Sequence, residues 1–334
     1  MTDFSKFTMA AVQASPAYFD KTASTEKACR LIAEAASQGA TVAAFAETWL
    51  PGYPFFNRAE ESQLKTRAHA EYIANGIVIP GPETERLCAA AKRGGVDVVI
   101  GVVELDANTR GSVYCTLLFI SSEGEILGRH RKLKPTFGER TIWAEGDGQG
   151  LRVYQRPYAR LSGLNCWEHM MMLPGYAIAA QGAQVHVAAW PSIVPGSKGL
   201  LLSRAFAAQA ACYVIAVGGM RTPDDLPEHL RELAPDGLGT NGGSVIINPQ
   251  GDVIAGPVDD EETILIAEGS LENVTVAKAI CDIGGHYSRP DVLQLHVNNG
   301  KPARLVAGDD ARGAAGASSD IGAGAPEHNG EPGR

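Results

Sequence analysis

Stretches of apolar residues a few positions long alternate along this chain with longer segments of helical character, and the alternation predicts the elements. Residues 7–14 (F-T-M-A-A-V-Q-A) form a strand-length apolar run. Residues 22–38, opening on Thr22 and closing before Gly39, read as a helix, and T-V-A-A-F-A-E (41–47) as a short buried strand. A second helix is predicted over 83–93, ended by Gly94-Gly95. Residues 96–105 and 112–121 are strands joined by D-A-N-T-R-G, whose turn residues predict a hairpin. The turn at 121–125 leads into I-L-G-R-H-R-K-L, an extended segment.

The second half keeps the same rhythm. Strands are predicted at 151–155, 159–165, 185–190, 213–219, 243–248 and 262–268, with helices at 171–182, 198–211 and 270–280. Hairpins mixed with strand–helix alternation predict a layered α/β fold with both parallel and antiparallel pairing. Nothing divides the chain before residue 290, so residues 1–300 are expected to form one domain. From 301 to 334 the chain is dominated by Gly, Ala, Asp and Pro. Such a segment buries too little apolar surface to offset its ordering entropy, and a flexible tail is expected.

Bulk composition narrows the function classes. With 45% hydrophobic and 20% charged residues the chain has the make-up of a soluble globular protein. Its net charge of −9 argues against nucleic acid or an anionic membrane surface as partner. No apolar run approaches the roughly 18 residues that span a bilayer. The opening M-T-D-F-S-K-F-T lacks the layout of an export signal, so a cytoplasmic location is expected. The six cysteines show neither C-x-x-C nor paired spacing with histidine, so no metal site and no disulfide framework is expected. Most of them are expected to be small buried hydrophobes.

Several motifs fail their context. G-L-G-T-N-G (237–242) fits the dinucleotide pattern, but a Pro- and Asp-rich loop precedes it and a strand follows it, the reverse of what the fingerprint needs. Phosphate-loop, H-E-x-x-H and G-x-S-x-G patterns are absent. Met170, Met171 and Met172 are expected to pack a helix rather than bind metal.

Three stretches carry chemistry. In A-A-F-A-E-T-W-L-P-G-Y-P (43–54) an apolar strand ends directly at Glu47. A carboxylate there is poorly solvated, which raises its pKa and suits it to general base work; a cap or surface carboxylate is the plain alternative. In G-R-H-R-K-L-K-P-T-F-G-E-R-T-I-W-A-E-G-D-G (128–148), Lys132 and Lys134 alternate on an extended segment, with Glu139 just beyond. Taken alone, such a basic run is most often a solvated face. In N-C-W-E-H (165–169), Cys166 sits where a strand gives way to a helix, a corner that exposes a side chain. A cysteine nucleophile also needs a base and a positive neighbour.

Found together and in this order, with Q-V-H-V-A-A-W-P (184–191) and G-H-Y-S-R-P-D (285–291), these stretches resemble the nitrilase superfamily, and within it the nitrilase branch. The resemblance runs from about residue 7 to about 297. It implies a four-layer αββα sandwich, and a catalytic triad of Glu47, Lys132 and Cys166 with Glu139 as a second glutamate. It implies hydrolysis of a small-molecule nitrile to a carboxylic acid and ammonia through a thioimidate and a thioester, with no cofactor. Trp167 would supply an oxyanion contact through its backbone N–H, and Tyr53, Phe55, Phe56 and Trp190 are candidates to line an apolar pocket. A homodimer or a larger spiral homo-oligomer is implied as well. An amidase or a cyanide dihydratase of the same superfamily is the alternative, and a non-catalytic binding protein on this fold a further one. Two departures stand out. Relatives carry Pro-Leu-x-Arg shortly after C-W-E-H where this chain has M-M-L-P-G (171–175), and a further aromatic where it has Asn57. Both bear on pocket shape and assembly contacts.

Overall fold

A computed structural model of the chain describes residues 5–194, 196–234 and 240–300. The first half runs β1 (Lys6–Gln13), α1 (Lys21–Ser37), β2 (Val42–Phe45), α2 (Gln63–Ala74), α3 (Pro82–Gly94), β3 (Asp97–Leu105), β4 (Val113–Ile120) and β5 (Ile126–Arg131). The second half runs β6 (Tyr154–Gln155), β7 (Arg160–Asn165), α4 (Met172–Ala180), β8 (Val185–Trp190), α5 (Lys198–Ala210), β9 (Tyr213–Gly218) and β10 (Met220–Arg221). It ends with β11 (Thr240–Ile247), β12 (Val253–Asp259), β13 (Thr263–Ser270) and α6 (Leu271–Ile280).

The strands make two sheets, ordered β13-β1-β2-β3-β4-β5 and β10-β11-β9-β8-β7-β6, with β12 added on β11. β1, β2 and β3 are parallel, as are β7, β8 and β9. The predicted hairpin is β3–β4, antiparallel with Val98 opposite Ile120 and Leu105 opposite Val113. β13 returns from the far end of the chain to pair antiparallel with β1.

The strand alternation explains the layers. Val185, Val187 and Ala189 of β8 and Tyr213, Ile215 and Val217 of β9 join a core shared with β1–β4, α1 and α3. The intervening Ala188, Trp190, Val214 and Ala216 join a second core with Ile178 and Ala179 of α4 and Phe206, Ala207 and Ala210 of α5. Helices α1 and α3, sheet, sheet, and helices α4 and α5 are therefore four stacked layers, and strands covered on both faces read as unbroken apolar runs. Each large side chain so buried contributes about 1.5–3 kcal/mol. Local signals fix the helix ends. The Asp20 carboxylate accepts the N–H of Ala23 at 2.9 Å, Pro82 opens α3, and Gly95 closes it in the left-handed region at φ 63°.

The sequence pattern and the structure part in a few places. α2 and β12 have no counterpart in the pattern. α2 buries only Lys65, Ala68 and Tyr72, so it shows no broad apolar stripe. β12 is broken by Gly256-Pro257. Met170, Met171 and Met172 do not pack a helix: they stand 47%, 39% and 86% exposed, at the turn where the chain enters α4. Of the six cysteines, Cys115, Cys166 and Cys212 are buried, whereas Cys29, Cys88 and Cys281 are partly exposed. Residues 237–239 of the Gly-rich motif at 237–242 and the whole segment 301–334 lie outside the described residues. No helix among the described residues is long and apolar enough to cross a membrane.

Candidate active site

Glu47 follows the C-terminal end of β2, Lys132 the end of β5 and Cys166 the end of β7, and Glu139 lies on the 3-10 turn Phe137–Thr141. The loops converge where the parallel strands of both sheets end, the usual ligand-binding edge of an α/β sheet. Gly101 of β3 makes the approach possible, because a Cβ there would overlap the backbone of Ala46, Glu47 and Thr48. A Cβ on Gly146 would likewise strike the backbone of Arg131 and Lys132. Each functional loop also carries a non-glycine residue in the left-handed region: Thr48 at φ 42°, Phe137 at 51° and Cys166 itself at 47°. Such conformations persist where surrounding contacts over-determine them, and they cluster at functional sites.

All four groups are buried: Glu47 is 2% exposed, Lys132 1%, Glu139 3% and Cys166 1%. The surface-carboxylate reading of Glu47 and the solvated-face reading of Lys132 are thereby excluded. Lys134 does fit a solvated face, exposed and paired with Glu145. The Lys132 ammonium donates to Glu47 Oε1 at 2.8 Å and to Glu139 Oε2 at 2.7 Å. Ligand atoms of Glu47, Glu139 and Cys166 all lie within 4.8 Å of one another. Two carboxylates and a thiol can hold a metal ion, but here an ammonium is hydrogen-bonded to both carboxylates.

Glu139 is fixed by three donors: Lys132, the Tyr53 hydroxyl at 2.7 Å to Oε1 and the Thr136 N–H at 2.7 Å to Oε2. Asn57 in turn donates to Tyr53 at 3.1 Å. Glu47 is held differently. Its Oε1 accepts from Lys132 and from the Cys115 thiol at 3.5 Å, while its Oε2 is buried with no hydrogen-bond partner. Burial raises the Glu47 carboxyl to about 7, against the pull of Lys132. Burial also pushes the Cys166 thiol well up, as does Glu47; Lys132 and the backbone N–H of Trp167 act in the opposite sense. Burial works against the Lys132 ammonium, but its acidic neighbours Cys166, Glu47 and Glu139 outweigh it and keep the group charged. The resting site therefore holds a neutral thiol beside a base poised near neutrality.

Around Cys166 lies a histidine chain whose members His169 and His186 stand in C-W-E-H and Q-V-H-V-A-A-W-P, with nothing in the sequence to show that they meet. Cys166 O can only accept, so His169 donates Nδ1–H to it at 2.8 Å. His169 Nε2 then accepts from His186 Nε2 at 3.0 Å, and His186 Nδ1 accepts from Ser162 at 2.9 Å. Burial lowers the His169 pKa to about 4 and that of His186 well below its usual range, which keeps both rings neutral as this chain of donors requires. On the other side, Glu168 accepts from His130 and from the backbone N–H groups of Leu133 and Asn165. The signal for His130 was its place two residues before Lys132, on the same face of an extended strand.

The aromatic candidates divide. Trp190 shares a core with Cys166, stacks on His169 and donates its indole N–H to Ser203 at 3.1 Å. Trp167 is 39% exposed, with the Lys198 ammonium 5.7 Å from its ring centre. Tyr53 is tied to Glu139. Phe55 and Phe56 are buried in an aromatic core with Phe19 and Tyr72.

Comparison with known proteins identifies the family of the chain. Residues 8–279 match the carbon-nitrogen hydrolase family. The chain is 56% identical over 307 residues to "Nitrilase 2" from an unknown prokaryotic organism, covering 92% of this chain and 97% of that protein. It is 39% identical over 310 residues to the aliphatic nitrilase of Rhodococcus rhodochrous, covering 87% and 82% of the two chains. Its fold is similar to the crystal structure of Saccharomyces cerevisiae Nit3, with a TM-score of 0.66 at 19% identity over 84% of this chain and 96% of that one. The chain is a hydrolase of carbon–nitrogen bonds and belongs to the nitrilase branch of the nitrilase superfamily.

Proposed function

We propose that this protein hydrolyses an organic nitrile to its carboxylic acid and ammonia, with Glu47, Lys132, Glu139 and Cys166 as the catalytic groups. One observation carries the reading: a buried thiol, a buried carboxylate with an unpartnered oxygen, and an ammonium bridging two carboxylates meet in one place. The similarity to proteins named nitrilase supports a nitrile rather than an amide as substrate.

In this mechanism Cys166 bonds to the nitrile carbon as its proton passes to Glu47. The nitrile nitrogen gains charge, which the Lys132 ammonium and the Trp167 N–H stabilise, and it takes the thiol proton back from Glu47, giving the thioimidate and leaving Glu47 ionised again. Glu47 then draws a proton from water, which adds to the same carbon. Glu47 passes both protons of that water to the nitrogen, the C–N bond breaks, ammonia leaves and a thioester remains. A second water, activated in the same way, displaces the Cys166 sulfur and releases the acid. Two waters are consumed for one acid and one ammonia. If the C–S bond breaks first, one water is consumed and the amide is released. Glu139, held by Tyr53 and Thr136, keeps Lys132 in place. Protein groups supply every step of this route. The work is assigned to the cytoplasm, and the exposed Met170–Leu173 run with Leu201 supports assembly with a second copy, which sizing the purified protein would test.

The test is a panel of phenylacetonitrile, mandelonitrile, benzonitrile, an aliphatic dinitrile and cyanide, with the amides matching the organic nitriles, reading acid and ammonia together. Acid and ammonia from a nitrile with little from the amides is the expected result. Turnover of amides alone would overturn it.

A further inference from the structure

Glu168 lies two residues past the candidate nucleophile, is 1% exposed and is absent from the chemistry above. Its two oxygens are fully engaged. Oε1 accepts the backbone N–H of Leu133 at 2.8 Å, and Oε2 accepts that of Asn165 at 2.8 Å. His130 Nε2 lies 3.0 Å from Oε1 and 2.9 Å from Oε2, bridging the pair. Leu133 is the residue after Lys132, and Asn165 the residue before Cys166. The two backbone segments belong to different sheets: β5 is the edge of one, and β7 lies within the other. No ladder of backbone hydrogen bonds joins β5 to β7, so sheet pairing does not set the position of Lys132 relative to Cys166. A single carboxylate is bonded to both backbones.

From this we infer that Glu168, braced by His130, is the positioning residue that holds the Lys132 ammonium and the Cys166 thiol in register across the two sheets. The side chain has to be a carboxylate of this length. Both oxygens face N–H groups, so a glutamine would turn an NH2 donor toward one of them and break that tie. The contact is made of charge-assisted hydrogen bonds in a buried setting, where losing one partner leaves the others unsatisfied.

The consequence for chemistry rests on the nitrile reading. Ammonia leaves the tetrahedral intermediate only if its nitrogen receives a proton from the Glu47–Lys132 pair. If that pair drifts from the sulfur, the C–N bond breaks less readily, the C–S bond breaks in its place, and amide is released with one water consumed. A misplacement of about 1 Å is enough for a rate loss of order 10²-fold.

The experiment uses the full-length protein and E168Q, each checked for folding by circular dichroism. Two quantities are read. The first is the amide-to-acid ratio from a nitrile that the wild type turns over, which does not depend on how much of the sample is folded. The second is the pH dependence of Cys166 alkylation by iodoacetamide, followed by peptide mass spectrometry with Cys29 as internal reference. The wild type is expected to show a step near pH 7 from Glu47 acting as base on the thiol. In E168Q the amide fraction is expected to rise at least about fivefold, with kcat falling about 10²-fold and KM little changed, and the alkylation step near pH 7 to vanish. A folded E168Q with the wild-type product ratio and the wild-type step would overturn the inference. If the wild type hydrolyses no nitrile, the functional reading fails and the alkylation profile alone decides the role of Glu168. Should E168Q not fold, H130N keeps the carboxylate but removes its brace; the same changes, smaller in size, are expected, and an unaltered profile would again overturn the inference.

Discussion

Two buried clusters of opposite charges flank the parallel strands of the first sheet, one at each end. At the N-terminal end of β3, Asp97 is saturated. Its Oδ1 accepts from Ser122 N at 2.7 Å and Arg156 at 3.1 Å, and its Oδ2 from Arg156 Nε at 2.7 Å and the Tyr158 hydroxyl at 3.0 Å. Beyond the C-terminal end of β2, Glu47 takes both of its donors on one oxygen and has none on the other. The residues are similar and the burial is similar, yet only one cluster has a free lone pair beside a thiol. A carboxylate with four donors can brace the fold; one with a free oxygen can accept a proton. The incompleteness of a buried network is what separates chemistry from support.

The largest effect belongs to the reactive cluster. C166A should lower ammonia release by at least about 10⁴-fold while thermal unfolding stays unchanged; retained turnover in a folded variant would break the comparison. E47Q removes the free acceptor and should cost about 10²–10⁴-fold in kcat, while Lys132 keeps Glu139 as a buried counter-ion. D97N should do the reverse. Removing one partner of a buried ion pair costs about 3–5 kcal/mol, which urea unfolding would register, while kcat per folded molecule stays at the wild-type value. The smallest effect is on pH. Glu47 must be ionised to take the thiol proton, and its carboxyl sits at about 7. Activity is therefore full above that pH and lost as pH falls through it, with kcat/KM dropping about tenfold per unit below. A profile flat from pH 5 to 8 would remove Glu47 from the role of base.

Much of this was legible in the sequence because the site is written in local signals. An apolar strand ending on Glu47 and a strand broken at Cys166 are each visible within ten residues. A layered α/β fold followed from strand–helix alternation, whereas the four-layer order and the grouping of Glu47, Lys132, Glu139 and Cys166 came from the resemblance to the nitrilase superfamily. What escaped is what depends on distance. Cys115 meets Glu47 across 68 positions, and His130 meets Glu168 across 38, so no window along the chain contains either pair. His130 was hidden further by its setting, since R-H-R-K has the look of a solvated basic face. In the structure its flanking residues Arg129 and Arg131 turn the other way, onto Glu104, while His130 and Lys132 go inward. α2 escaped for a different reason: its buried face is a lysine, an alanine and a tyrosine, and hydrophobic spacing is silent on such a helix.

The three left-handed corners at Thr48, Phe137 and Cys166 bear on how this protein can change. Each costs on the order of 1–3 kcal/mol, which a glycine would relieve. At 166 that route is closed, because the side chain is the reagent. At 48 and 137 it is open, and a selection for heat tolerance acting on this chain would find Thr48→Gly and Phe137→Gly among its first gains. Both would slacken the loops that carry Glu47 and Glu139, so lineages selected for turnover should keep side chains at these corners and lineages selected for durability alone should shed them.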